Sequence, residues 1–241
     1  MSYNRNCRGF TLVEMAVVLV IIGLLVGSFI GTVSSRIETS RYAETRKDLE
    51  DIKLALIGYA YKNGGLPCPD FFTSDDGVSD VACVAFTQPT GNVPWVTLGL
   101  GSGDPWNNRY EYWVDASNFS DAAAVPFDLD TDANGQVSRR SADGTALELL
   151  ASGVVAVIYS RGKNGLGAAG VDGSSRASIP GTGHSDEELN SDTSIANRDK
   201  FVSRPVTPGD VTTDGGTYDD IVIWISEYEL KAKMVEAGVL P

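Results

Sequence analysis

From Phe10 to Val33 the chain is apolar at almost every position, and Glu14 is the only ionisable side chain there. About 20 apolar residues span the hydrocarbon core of a bilayer, so this run predicts a membrane-crossing helix over 10–35. Beyond it the pattern becomes periodic. Leu49, Ile52, Leu56, Tyr59 and Ala60 recur at three-four spacing, while Lys47, Glu50, Asp51 and Lys53 fall mostly on other faces. No proline lies between Phe10 and Leu66, and Gly64, Gly65 and Pro67 close the pattern. One helix from Phe10 to about Lys62 is predicted, roughly 80 Å long at 1.5 Å per residue. Its first half lies in the membrane, and its second half offers an apolar stripe to a sheet.

Short apolar segments bounded by Gly, Asp and Asn clusters follow, as strands are. They are Tyr110–Val114, Val154–Tyr159 and Ile221–Ile225. One long helix and then separated strands predict an α+β fold with an antiparallel sheet. Ser226-x-x-Glu229 is a capping-box pattern that opens a short terminal helix to about Ala237, with Gly238 as its stop. The stretch 162–216 is rich in Gly, Ser, Asp and Thr and reads as long loops. Gly23, Gly27 and Gly31 share a helix face, which suits close packing of helices in lipid. Glycine is also common in membrane helices generally.

The N-terminus adds chemistry to this pattern. Arg5 and Arg8 precede the apolar run without any acid, so the leader stays cytoplasmic and the C-terminal bulk is exported. A carboxylate inside an apolar segment is expensive and needs a partner. Arg8-Gly9-Phe10-Thr11-Leu12-Val13-Glu14 resembles the processing site of type IV pilins and type II secretion pseudopilins. The resemblance implies cleavage after Gly9 by a prepilin peptidase, N-methylation of Phe10, and filament assembly directed by Glu14. Glu14 of an incoming subunit would meet the new terminal amine of a neighbour and fix axial register, the best-attested use of buried polar pairs. The competing reading is a signal anchor with an incidental Glu.

The exported part also resembles that family. Asp104-Pro105-Trp106-Asn107-Asn108-Arg109-Tyr110-Glu111-Tyr112 is similar to the D-P-W-G-N-x-Y-x-Y segment of major pseudopilins, with Asn107 in place of glycine. Ser160-Arg161-Gly162-Lys163-Asn164-Gly165 is similar to their S-x-G-x-D-G loop, with Asn164 in place of the acid. Asp220-Ile221 with Trp224 matches their D-I-x-x-W close. The stretches 70–94, 121–144 and 167–216 depart from the compact pseudopilin pattern, so the chain reads as an enlarged, minor member.

Composition narrows the function. The net charge of -13 and the pI of about 4.4 set the chain against nucleic acid as a partner. With Cys7 removed in the leader, Cys68 and Cys83 remain as an even pair in an oxidising compartment, which predicts a disulfide. Two sequences invite calcium. Asp130, Asp132, Asn134 and Gln136 follow the first half of an EF-hand loop, although Ser141 stands where its closing glutamate belongs. A solvated acidic turn is the plainer alternative. The resemblance implies a second calcium loop, between Gly165 and Trp224, to which Asp220 contributes; Asp186, Glu187 and Glu188 lie in the same stretch. The sole histidine, His184, sits in a Gly-Ser-Asp loop without a nucleophile elbow or a phosphate-binding loop elsewhere, so no enzyme is expected.

The expected arrangement is a cleaved leader over 1–9, a transmembrane and filament-core helix over 10–35, and a periplasmic pilin-like domain over 36–241. The expected function is a structural subunit, a minor pilin of a type IV pilus or related filament. It would be held in the bacterial inner membrane by a single pass, with the prepilin peptidase, other pilin-like subunits and an inner-membrane assembly platform as partners. The alternatives are a type II secretion pseudopilin, or a membrane-anchored calcium-binding adhesin or receptor that never polymerises.

Overall fold

The structure, a computed structural model, describes residues 10–71, 75–80, 83, 90–180, 183–191, 197, 199–207 and 215–240, with the helical backbone alone over 26–34. Gly9, Cys7 and the rest of the leader lie outside the described residues. The chain divides into two compact units, Met1–Ala43 and Glu44–Pro241. Helix α1 (Leu12–Asn63) begins in the first and ends in the second.

In the first unit the described apolar side chains at the start of α1 are exposed. Phe10, Leu12, Val13, Met15 and Val17–Ile22, followed by Leu24 and Leu25, are 43% to 87% exposed. Among the described residues no helix is long and apolar enough to cross a membrane. The expected span 10–35 is therefore seen only in part. The described apolar side chains of α1 reach from Leu12 to Leu25, short of the length a bilayer needs, and the sequence places the remainder over 26–33.

In the second unit the three-four stripe is buried. Leu49, Ile52, Leu56, Ile57 and Ala60 are at most 4% exposed. Tyr59 lies at its margin and donates its hydroxyl to Asp121 Oδ2 at 2.7 Å. Leu49 and Leu56 are fully buried, and each contributes about 1.5–3 kcal/mol relative to exposure.

The sheet contains β1 (Thr90–Asn92), β2 (Glu111–Val114), β3 (Gly135–Arg140), β4 (Leu147–Ser160), β5 (Lys200–Val202) and β6 (Ile221–Ser226). Strand β4 is its axis. It pairs antiparallel with β3 over Leu147–Val154, with β2 over Ala156–Tyr159 and with β6 over Val154–Ser160. Strand β1 lies antiparallel on β2. Strand β5 lies parallel to β3, which corrects the expectation of a purely antiparallel sheet. A parallel pair needs a long crossover, and the excursion from Ser160 to Lys200 supplies one. That excursion is also not all loop, since it holds helix α4 (Ser185–Asn190).

Trp113, Val137, Val154, Val157, Tyr159, Phe201 and Val222 form one buried cluster. Short helices α2 (Trp95–Leu98) and α3 (Ala116–Phe119) flank β2. Helix α5 (Glu227–Glu236) starts on the predicted cap, with Ser226 Oγ accepting from Glu229 N at 3.2 Å. The predicted strands at 110–114 and 221–225 appear within one residue of their expected bounds. Cys68 and Cys83 form a disulfide, and both are fully buried.

Candidate functional site

The first candidate is the start of α1. Thr11 and Glu14 cap this helix reciprocally. Glu14 Oε2 accepts from Thr11 N at 2.8 Å and from Thr11 Oγ1 at 2.9 Å, and Thr11 Oγ1 lies 3.2 Å from Glu14 N. This is a capping box, with Thr11 as the cap and Glu14 at the third helical position. The T-x-x-E spacing is plain in the sequence, and the apolar context had drawn attention to the cost of Glu14 rather than to its local partner.

The second candidate is built by three loops that the sheet brings together. Asp104 organises the first. Its Oδ1 accepts from Trp106 N and Asn108 N, both at 2.9 Å, and its Oδ2 accepts from Ser160 Oγ at 2.6 Å. Within this turn Asn107 has φ 64°. Asparagine is among the few side chains that tolerate the left-handed region, which accounts for its standing where a glycine is usual. Asn108 Nδ2 then reaches Gly162 O at 3.1 Å and ties this loop to the one leaving β4.

In that second loop Gly162 has φ 60°, and a Cβ there would sit 2.2 Å from Asp219 O. The glycine permits the backbone of the third loop, 215–220, to lie against it. Asn164 N donates to Asp219 Oδ2 at 2.8 Å, and Asn164 Nδ2 donates to Glu187 Oε1 at 2.9 Å. Asp219 N donates to the same Glu187 oxygen at 3.0 Å.

The result is a cluster of Glu187, Asp219 and Asp220, each offering one carboxylate oxygen within 4.8 Å of the others. All three are buried, at 1%, 7% and 3% exposed. Arg161 is the cation beside them. Its Nε and Nη2 bond the two oxygens of Glu111, each at 2.8 Å, and its Nη1 lies 3.8 Å from Asp220 Oδ2. His184 Nδ1 lies 2.9 Å from Glu187 Oε2. Asn190 Nδ2 donates to Asp220 Oδ2 at 2.8 Å, while Asn190 Oδ1 accepts from Val202 N at 2.7 Å. Asp219 Oδ1 is buried without a hydrogen-bond partner among the described residues. Burial raises Asp219 above the ordinary carboxylate range and pushes Asp220 up to about 8, with Arg161 and Asn190 opposing the shift at Asp220.

Asp220, named from the sequence, lies in this cluster, and Glu187 joins it from α4. Asp186 turns away to Arg140, with bonds of 2.9 and 2.5 Å, and Glu188 is exposed. Glu111, Arg161 and Asn190 were not identifiable from sequence, since each meets its partner 30 to 50 residues away.

The EF-like segment is not drawn together in this way. Asn134 commits its backbone and side-chain N–H groups to Asp115 Oδ2 at 3.0 and 2.9 Å. Asp130 N bonds Asp128 Oδ1 at 3.0 Å in a local turn, and Asp132 O accepts from Asn118. Gly135 opens β3, where a Cβ would sit 2.5 Å from Val154 O, and Gln136 N bonds Asp199 O at 2.8 Å. Among the described residues, the acids at 128, 130 and 132 form no converging group.

Comparisons with known proteins bear on both candidates. The family model for the prokaryotic N-terminal methylation motif matches residues 4–30. Type II secretion system core protein G of Pseudomonas aeruginosa is 30% identical over 132 residues, which is 52% of this chain and 82% of that protein. No solved structure matches.

Proposed function

This chain belongs to the type IV pilin and type II secretion pseudopilin family, and from that premise we propose that it is a structural subunit of a pseudopilus-type filament, cut after Gly9, methylated at Phe10 and assembled through α1. One observation carries the reading. The apolar surface of α1 from Phe10 to Leu25 is exposed, while Glu14, the one charge within it, is held by its own Thr11. Such a surface calls for lipid before assembly and for neighbouring helices after it. The secretion arm is favoured over the pilus arm because the relative named above carries that name over most of its length. Cross-linking the tagged chain in its native cells tests this. Cross-links to type II secretion pseudopilins support the reading, cross-links to type IV pilins move the chain to the other filament, and association with no pilin-like subunit returns it to the adhesin or receptor class.

The cluster of Glu187, Asp219 and Asp220 supports a calcium site in the same subunit. Three buried carboxylates beside one fixed guanidinium, with one oxygen unsatisfied, fit a hard divalent cation that prefers oxygen ligands. Glu187 and Asp219 would hold it, with Asp220 at the side of Arg161, and the bound ion would supply the positive charge that lets the three loops close. Calcium should therefore raise the melting temperature of the full chain in detergent micelles. Stabilisation by a ligand is RT ln(1 + [L]/Kd), about 2.7 kcal/mol at one hundred times Kd. Asp219→Asn should remove the shift, and Asp130→Ala with Asp132→Ala should retain it. The reverse result would move the site to the loop at 130–136.

A further inference from the structure

Strand β4 is paired on both sides only over its second half. From Val154 to Tyr159 it has β6 on one side and β3 or β2 on the other, whereas over Leu147–Ser152 it pairs with β3 alone among the described residues. This first half therefore presents a row of backbone N–H and C=O groups without a ladder partner, about 20 Å long at 3.3 Å per residue. Its side chains are apolar and exposed, Leu147 at 42%, Leu149 at 59% and Leu150 at 42%. Leu147 and Leu149 share one face of the strand, and Leu150 stands on the other. The one charge on this edge, Glu148, is matched across the ladder by Arg139 at 3.5 Å. Two other edges of the sheet are closed. On β5, Val202 N donates to Asn190 Oδ1 at 2.7 Å, and Val202 O accepts from the Tyr218 hydroxyl at 2.6 Å. On β1, Asn92 exchanges both backbone bonds with Asp70, at 2.7 and 2.9 Å. Folded proteins guard apolar edges with charges, prolines or cover, and an edge left open is a template for another strand.

We infer that the edge of β4 at Leu147–Ser152 docks an extended apolar strand of a second, non-identical pilin-like subunit anchored beside this one. The inference rests on the filament reading above. The unpaired backbone calls for an extended segment, and the leucines on both faces call for apolar side chains on that segment. With Glu148 already matched, the edge is a neutral island on a chain of net charge -13, so an apolar strand meets no like charge there. A single strand of this length buries less than the roughly 1,000 Å² of a free-standing interface. It suffices for a partner already held alongside by its own membrane helix, where the effective concentration is high. A copy of this chain fits poorly. Two identical edges paired antiparallel share a two-fold axis normal to the sheet, which turns the second half of α1 end for end, because Asp48 and Tyr59 hold that half along its own domain. Subunits anchored through α1 all point one way. Strand β3, which supports the edge, lies in the stretch 121–144 that departs from the compact pseudopilin pattern, so the edge belongs to what distinguishes this subunit.

The test places a photo-cross-linking residue at position 147, or at position 21 in α1, in the full chain made in its native host, and identifies the adducts by mass spectrometry. Position 147 should yield an adduct with a different chain that itself carries the N-terminal methylation motif, mapped to an extended apolar segment of that chain. Leu149→Lys with Leu150→Lys puts guard charges on both faces of the edge and should lower the adduct from position 147 roughly fivefold or more. Adducts from position 21, which report helix contacts, should stay within about twofold. Should the lysine pair lower the melting temperature, Leu149→Thr with Leu150→Thr keeps strand propensity, removes the apolar area and is read in its place. The docking site is overturned by an adduct at 147 only with a second copy of this chain or with a chain lacking the motif. It is equally overturned by no adduct at 147 where position 21 cross-links, or by an undiminished adduct in the edge variant, and each of these leaves the filament reading standing. Absence of pilin-like adducts from both positions removes the filament reading and the docking site together.

Discussion

Glu14 is bonded to Thr11 through both the backbone N–H and the hydroxyl of that residue, on a single carboxylate oxygen. Under the filament reading proposed above, a neighbour's terminal amine would draw on the other oxygen, so capping and assembly need not compete for one atom. Thr11→Ala should cost about 1 kcal/mol of cap and fray the first turn, while incorporation into sheared filaments stays near the parental level. Glu14→Leu should leave the exported domain folded and abolish incorporation, because the neighbour's amine is then buried without its partner. Equal recovery of parent and Glu14→Leu in the filament fraction would remove the register role.

Processing is tested by intact mass. Protein from its native host should begin at methylated Phe10. A chain beginning after Gly27, or one retaining Met1, contradicts cleavage at Gly9.

The disulfide should be recovered as a linked Cys68–Cys83 peptide when the protein is mapped without reductant. Both sulfurs are buried, so mild reductant should leave the bond intact until denaturant is added. In the chain-entropy model, closing a loop of 15 residues contributes about 3 kcal/mol. Cys68→Ala with Cys83→Ala should lower the melting temperature accordingly, and an unchanged melting temperature would show that the loop needs no staple.

The carboxylate cluster sets a pH dependence. Asp219 is raised by burial, and Asp220 is raised to about 8 against an ordinary value of 3.8. The folded state then binds more protons than the unfolded state between these limits, so stability falls as pH rises. This contribution is full below the unfolded pKa and is lost as pH passes through about 8. Melting in EDTA should therefore drop from pH 5 to pH 8.5, and calcium should flatten that drop. A metal-free melting temperature that rises across the window would contradict the protonated state.

The long helix and its buried stripe were legible because apolar periodicity over many turns has few other readings. Strands β1, β3 and β5 were not, for an equally physical reason. Thr90-Gly91-Asn92 is short and polar, and β3 buries only Gly135 and Val137 of its six residues, so neither presents an alternating apolar run. The EF-like spacing at 130–136 matched a metal loop in one dimension, but Asn134 is spent on Asp115 and Gly135 is required by the approach of β4. The cluster at 187, 219 and 220 depends on the crossover through α4. Sequence indicated Asp220 by its motif, while Glu187 and Arg161 acquire their roles only once the three loops meet.

Two phenols fasten α1 to the rest of its domain, Tyr59 to Asp121 at 2.7 Å and Tyr110 to Asp48 at 3.0 Å. Asp48 and Tyr59 lie about 16 Å apart along the helix at 1.5 Å per residue. Burial raises both phenols, so they remain hydroxyl donors at any physiological pH. The C-terminal half of α1 is thereby held to the rest of its unit at two separated points, so it cannot swing about either one alone.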